Sequence, residues 1–148
     1  MKTLNAIRFI FPGISLNEHT ARAVVSAFLV QTDPTVEELA DIRTAVSEAV
    51  TNAVVHGYRH NDGDVELCIK LLADREIYIR IKDKDCGISD IEKAMEPLYT
   101  TAPHEERSGR GFAVMQSFMD SVRVRSKPGE GTTVTMRKKL RSIPCRSN

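Results

Sequence analysis

Cysteine is scarce in this 148-residue sequence: Cys68, Cys86 and Cys145 form an odd set with no C-x-x-C pair. That argues against a disulfide framework or a zinc site and fits a reducing compartment. Long apolar runs are missing too, and the N-terminus lacks the apolar core of a signal peptide, so a soluble cytoplasmic protein with no membrane contact is expected. Charge of one sign is also lacking. Lys and Arg number 21 against 20 Asp and Glu, and a net charge of +1 carries no electrostatic footprint for nucleic acid, so no direct nucleic-acid contact is expected. There is no internal repeat and no G-x-x-x-x-G-K-[ST] phosphate loop. The length suits one domain, expected over residues 1–140, with 141–148 as a flexible tail.

What is present is a clear alternation of patterns. "NAIRFIF" reads as a strand closed by Pro12 and Gly13. A helix follows, with Ser15 and Glu18 spaced as a capping box, Ala21, Val24, Val25 and Phe28 as its apolar stripe, and Glu18 with Arg22 as an i,i+4 pair. "TDPTVEEL" announces a second helix, with Asp33 as N-cap and Pro34 at its first position, running to Gly57. "DGDVELCIKLL" and "EIYIRIKD" are strands joined through Ala73 to Arg75. Ser89 and Glu92 signal a short helix, and "EPLYTTAPHEERSGRG" has no period and reads as a long loop. "GFAVMQSFMD" is a helix opening at glycines, and the next segment is a hairpin with Val122 and Val124 facing Val134 and Met136. The order predicts a two-layer α/β (α+β) sandwich: a mixed, mostly antiparallel sheet covered on one face by helices.

Within the second helix, Glu48, Asn52 and His56 recur at four-residue intervals along the edge of the arc formed by Ile42, Val46, Ala49, Val50 and Ala53. Two readings stand at this point, a solvated flank or part of a site. In "IYIRIKD", period-2 alternation puts Asp83 on the face of Ile77, Ile79 and Ile81, where a carboxylate needs a donor. It either caps the strand end or binds a ligand. "GRGF", Gly109 to Phe112, opens a helix after a loop, a place where backbone amides can approach an anion.

In this order the segments resemble the GHKL family of ATPases and kinases, with its N box, first glycine box, lid and second glycine box. "SEAVTNAVVHGY", "PLYTTAPHEERSGRGFAVMQSFMD" and "GTTV" look like those of anti-sigma F factors, serine/threonine protein kinases of spore-forming bacteria, over nearly the whole chain. The resemblance implies a Bergerat-type ATP-binding fold with ATP or ADP and Mg²⁺ as cofactors. It makes Glu48 the general base and Asn52 the magnesium ligand. Asp83, Gly87 and Thr132 or Thr133 then form the adenine pocket, Gly109 and Gly111 hold the phosphates, and Thr100, Thr101 and Arg107 belong to the lid. His56 reads as structural. One departure is Asp85, which stands at the first glycine of D-x-G-x-G in "DKDCG"; Asp tolerates left-handed backbone angles better than most residues.

The resemblance further implies a sporulation sigma factor as bound partner, an anti-anti-sigma factor phosphorylated on serine, and a homodimer. Arg22, on the exposed face of the first helix, reads either as a partner contact or as half of a solvated pair with Glu18. Starting at its first strand, the chain is expected to lack the phosphoacceptor helices of a sensor kinase. Two alternatives remain: a general-stress-type anti-sigma kinase with another sigma partner, and a nucleotide-gated sigma-binding protein without kinase activity.

Overall fold

The computed structural model describes residues 2–54, 63–84, 106–127 and 131–141, with 106–111 and 127 described by their backbone. In chain order the elements are β1 (Thr3–Pro12), α1 (Leu16–Val30), α2 (Val36–Asn52), β2 (Asp64–Leu72), β3 (Glu76–Asp83), α3 (Glu106–Phe118), β4 (Ser121–Lys127) and β5 (Gly131–Lys139). The strands make one sheet in the order β1-β2-β3-β5-β4, and every pairing among the described residues is antiparallel. The expected two-layer α+β sandwich is borne out, and its mostly antiparallel sheet is antiparallel throughout the described residues. Two helices rather than one join β1 to β2, so the chain reverses once more than in a βαβ unit and β2 runs against β1. No described helix is long and apolar enough to cross a membrane.

The core lies between the sheet and the helices. Val65, Leu67 and Ile69 of β2, Ile77, Ile79 and Ile81 of β3, and Val134 and Met136 of β5 are buried. They pack with Val25, Phe28 and Leu29 of α1, Ile42, Val46 and Val50 of α2, and Phe112 and Met115 of α3. A slip of one residue in β3 would turn its three isoleucines outward, forfeiting roughly 1.5–3 kcal/mol for each. Register is therefore strongly specified.

Three local expectations are corrected. Ser15 has helical angles and makes no side-chain cap bond. The Glu18–Arg22 pair gives way to two other contacts: Ser47 Oγ on α2 donates to Glu18 Oε1 at 2.9 Å, and Arg22 donates to His19 Nδ1 at 2.5 Å. Asp33 does not cap α2, because its φ of 52° is left-handed and an N-cap needs extended angles. Thr35, at φ −69° and ψ 161°, is the cap and forms a reciprocal box with Glu38. The hairpin through Ala73 to Arg75 forms as expected, with Asp74 and Arg75 at positive φ.

That capping box belongs to a polar network at one pole of the domain. The Arg75 guanidinium donates to the carbonyls of Thr32 (2.7 Å), Asp33 (3.3 Å) and Arg141 (2.7 Å), tying the end of α1 and the end of the β5 segment to the β2–β3 turn. Glu38 accepts from the amides of Thr35 (2.9 Å) and Arg141 (2.8 Å). Partial burial pushes the Glu38 carboxyl upward, but these hydrogen bonds and the charge of Arg141 outweigh it and hold the group below its ordinary value. A depressed carboxyl stabilises the fold above its unfolded pKa of about 4.3, and that contribution is lost as pH falls through the folded value. Thr35→Ala is expected to lower stability by about 1 kcal/mol in urea titration. Glu38→Gln should lower Tm at neutral pH and reduce the loss of Tm on acidification below about pH 4.3 relative to the parent.

Candidate nucleotide-binding site

From the network pole, α2 runs about 25 Å and β3 about 27 Å toward the opposite pole, so Asn52 and Asp83 end at the same side of the domain. The stripe Ile42, Ala45, Val46, Ala49 and Val50 is fully buried, and the polar line beside it sinks inward along the helix. Glu48 is half-buried, while Asn52, one turn on, is 8% exposed. Both amide atoms of Asn52, Oδ1 and Nδ2, are buried without a hydrogen-bond partner among the described residues. An orphaned buried amide costs about 1–3 kcal/mol, so a fold that retains one holds it ready for something absent. A wider, π-type turn at Ala53 and Val54 follows it directly. The Ser47–Glu18 bond pins α1 to α2 immediately before Glu48.

The sheet side is fixed by the β3–β5 pairing, which sets Asp83 opposite Thr132. Both face the helix layer, at 5% and 9% exposure. Thr132 donates its amide to Asp83 Oδ1 at 3.3 Å, and its hydroxyl is 2.9 Å from that of Ser126 on β4. Thr133 alternates to the other face, opposite Lys82. Of the two threonines named in sequence, only Thr132 lies with Asp83.

Gly131 was not singled out in sequence as more than a turn residue, yet it positions this corner. Its φ is +97°, and a Cβ there would fall on the Asp83 carbonyl oxygen and within 2.6 Å of Lys84 Cα. Only a glycine lets β5 enter the sheet so close to the end of β3. The signal was available as a glycine directly before "TTV", but nothing local announces the approach of a distant strand.

α3 begins at Glu106, three residues before Gly109, and not at the glycines. The amides left without intrahelical acceptors are those of Glu106, Arg107 and Ser108, and that of Gly111 falls within the helical ladder. Gly87, Thr100, Thr101, His56 and Asp85 lie outside the described residues. The structure thus brings Glu48, Asn52, Asp83 and Thr132 to one pole between sheet and helices. Among the described residues no cluster of three or more His, Cys, Asp or Glu side chains exists. A divalent cation here would rest on the neutral oxygen of Asn52 and on its ligand's own oxygens, the manner in which Mg²⁺ binds with phosphates.

A family model for the histidine kinase-like ATPase domain matches residues 16–138. An anti-sigma F factor of Clostridium acetobutylicum is 50% identical over 139 residues, covering 94% of this chain and 96% of its own. Another from Bacillus velezensis is 47% identical over 137 residues, covering 92% of this chain and 93% of its own. The chain belongs to the anti-sigma F family of histidine kinase-like ATPase domains. Among solved structures, the RsbU and RsbW domains of Rv1364c from Mycobacterium tuberculosis match 96% of this chain and 34% of theirs, with a TM-score of 0.70 at 23% identity. At that identity the likeness is one of fold. Gly131→Ala is expected to cost about 1–3 kcal/mol in stability and to reduce nucleotide affinity through displacement of Asp83 and Thr132, read by urea melting and calorimetric ATP titration.

Proposed function

We propose that the protein is a cytoplasmic anti-sigma factor that binds and silences a sporulation sigma factor and, as a serine kinase, uses Mg-ATP to phosphorylate an anti-anti-sigma partner. The observation that carries this reading is the buried amide of Asn52, one turn beyond Glu48 on α2 and without a hydrogen-bond partner among the described residues. Relatives at 47–51% identity carry the anti-sigma F name, which supports the sigma partner.

In this reading Asp83, with its Oδ1 bound to the Thr132 amide, accepts from the adenine amine, and Gly87 lets the base approach. Asn52 Oδ1 would hold a magnesium ion, which would supply charge to offset that developing on the phosphates. Glu48 takes the proton of the acceptor serine as its Oγ bonds to the γ-phosphorus, the bond to the β–γ bridging oxygen breaks, and ADP departs. The lid residues Thr100, Thr101 and Arg107 and the amides of Gly109 and Gly111 close on the phosphates. Two glycines in the first turns of α3 weaken that helix by about 1 kcal/mol each relative to alanine, which favours its reshaping around a ligand. Arg22 supplies a partner contact, and the protein works as a homodimer. Exposed Leu4 and Ile10 on β1, Ile14 in the turn after it and Leu16 at the start of α1 are apolar surface that a second copy or the sigma factor would cover.

Incubation with γ-labelled ATP, Mg²⁺ and an anti-anti-sigma protein is expected to label one serine of the latter. ATP binding without transfer would sink the kinase assignment and leave a nucleotide-gated sigma binder. Glu48→Ala should slow transfer at least about 100-fold while ATP binding and sigma capture persist. Asn52→Ala should instead weaken Mg-ATP binding itself, by calorimetry, without lowering Tm, because it removes a buried amide that has no partner among the described residues.

A further inference from the structure

The helix-free face of the sheet enters the function proposed above only at its β1 edge, where Ile10 pairs with Glu66; its β3, β5 and β4 part carries no role there. Period-2 alternation and the strand register set its residues in rows. One row runs Arg80, Thr135, Arg123 across β3, β5 and β4, and the next runs Lys82, Thr133, Arg125. The two cationic lines, on β3 and on β4, stand roughly 10 Å apart, with successive cations along each line roughly 7 Å apart and threonine hydroxyls between them. Lys82, Arg123 and Arg125 are exposed and have no ion pair among the described residues.

Beside these rows, Tyr78 lies between two further cations: Lys70 Nζ is 5.3 Å and the Arg137 guanidinium carbon 5.0 Å from the ring centre. Together with Thr3 and Leu72 these three residues line a hollow of about 260 Å³. Three acidic residues, Asp64, Glu66 and Glu76, share the face. Glu66 is 3.4 Å from Arg80 and 4.0 Å from Arg8, and Glu76 is 3.1 Å from Arg137. Cations outnumber these acids on the face, although the whole chain has a net charge of only +1, so the opposite charge lies mostly elsewhere on the protein.

We propose that this face binds the sugar-phosphate backbone of single-stranded nucleic acid, without sequence preference. Lys, Arg, Thr, Ser and Tyr are the donors that contact phosphate oxygens, and they are what the face presents. A protein partner fits less well, since protein interfaces have an apolar centre depleted in lysine, and here the centre of the face is Arg80, Lys82 and two threonines. A second copy presenting the same rows would set like charges together. Each cation that displaces a counterion adds to a salt-dependent affinity.

Anisotropy of a fluorescent 20-nucleotide single-stranded DNA, titrated with the full-length protein at several salt concentrations and saturating Mg-ADP, tests this. Binding is expected with Kd of about 1–100 µM and a slope of log K against log salt of about −3 to −4, corresponding to five or six phosphates. Arg123→Gln with Arg125→Gln should weaken binding about tenfold and reduce the slope by about 1.4, with Tm and ATP affinity unchanged; if the pair lowers Tm, Arg125→Gln alone should halve the change in slope. Absence of binding at 50 mM salt, binding that Mg-ADP abolishes, or an unchanged slope in the variants would overturn the proposal. So would stronger binding to vesicles containing phosphatidylserine than to the DNA, which would assign the face to a membrane surface.

Discussion

The pairing of β3 with β5 is the constraint on which the rest depends. It sets Asp83 opposite Thr132, brings the Thr132 amide onto the Asp83 carboxylate, and requires a residue without Cβ where β5 passes the end of β3. The pairing is enforced from the other side by hydrophobic burial, since Ile77, Ile79 and Ile81 reach the core in one register and solvent in the next. That register also supplies a backbone donor for the buried carboxylate, which lowers the cost of burying it. The hydrophobic core and the candidate site are thus two consequences of one alignment.

The domain has two poles that differ in kind. At one, Arg75, Thr35, Glu38 and Arg141 satisfy one another and the carbonyls around them, so the start of α2 and the end of β5 are held by reciprocal hydrogen bonds. At the other, α2 ends with a buried amide that has no partner among the described residues. α2 is a rod between them. Stability invested at the closed pole lets the far end of the helix carry an unsatisfied group, the arrangement expected of a site whose missing partner is a ligand.

Alternation across the sheet sorts the composition of the chain as well. The same strands that send Ile79, Ile81, Val134 and Met136 inward send Arg80, Lys82, Thr135 and Arg137 outward. A nearly neutral chain thereby acquires a basic face. The expectation of no nucleic-acid contact rested on the net charge, which is a sum and contains no information about where charges lie.

Local chemistry was legible in sequence wherever the cause is local. The 3.6-residue and 2-residue periods located the strands, the hairpin at Ala73 to Arg75 and the inward drift from Glu48 to Asn52, because those periods are set by backbone geometry alone. The cap of α2 was misassigned to Asp33 although the T-x-x-E spacing of Thr35 and Glu38 was present; the left-handed angle of Asp33 comes from its place under the Arg75 clamp, a contact made across more than 40 residues. Glu18 likewise bonds Ser47 and not its helical neighbour Arg22, since a hydroxyl presented by a packed neighbouring helix costs less ordering entropy than a long, flexible side chain. By itself the sequence determined which residues could be buried and which family pattern they follow. Only the tertiary structure decided that Thr132 and not Thr133 shares a face with Asp83, that Gly131 must lack a side chain, and that Asn52 has no partner among the described residues, because each depends on what a distant segment brings within a few ångströms.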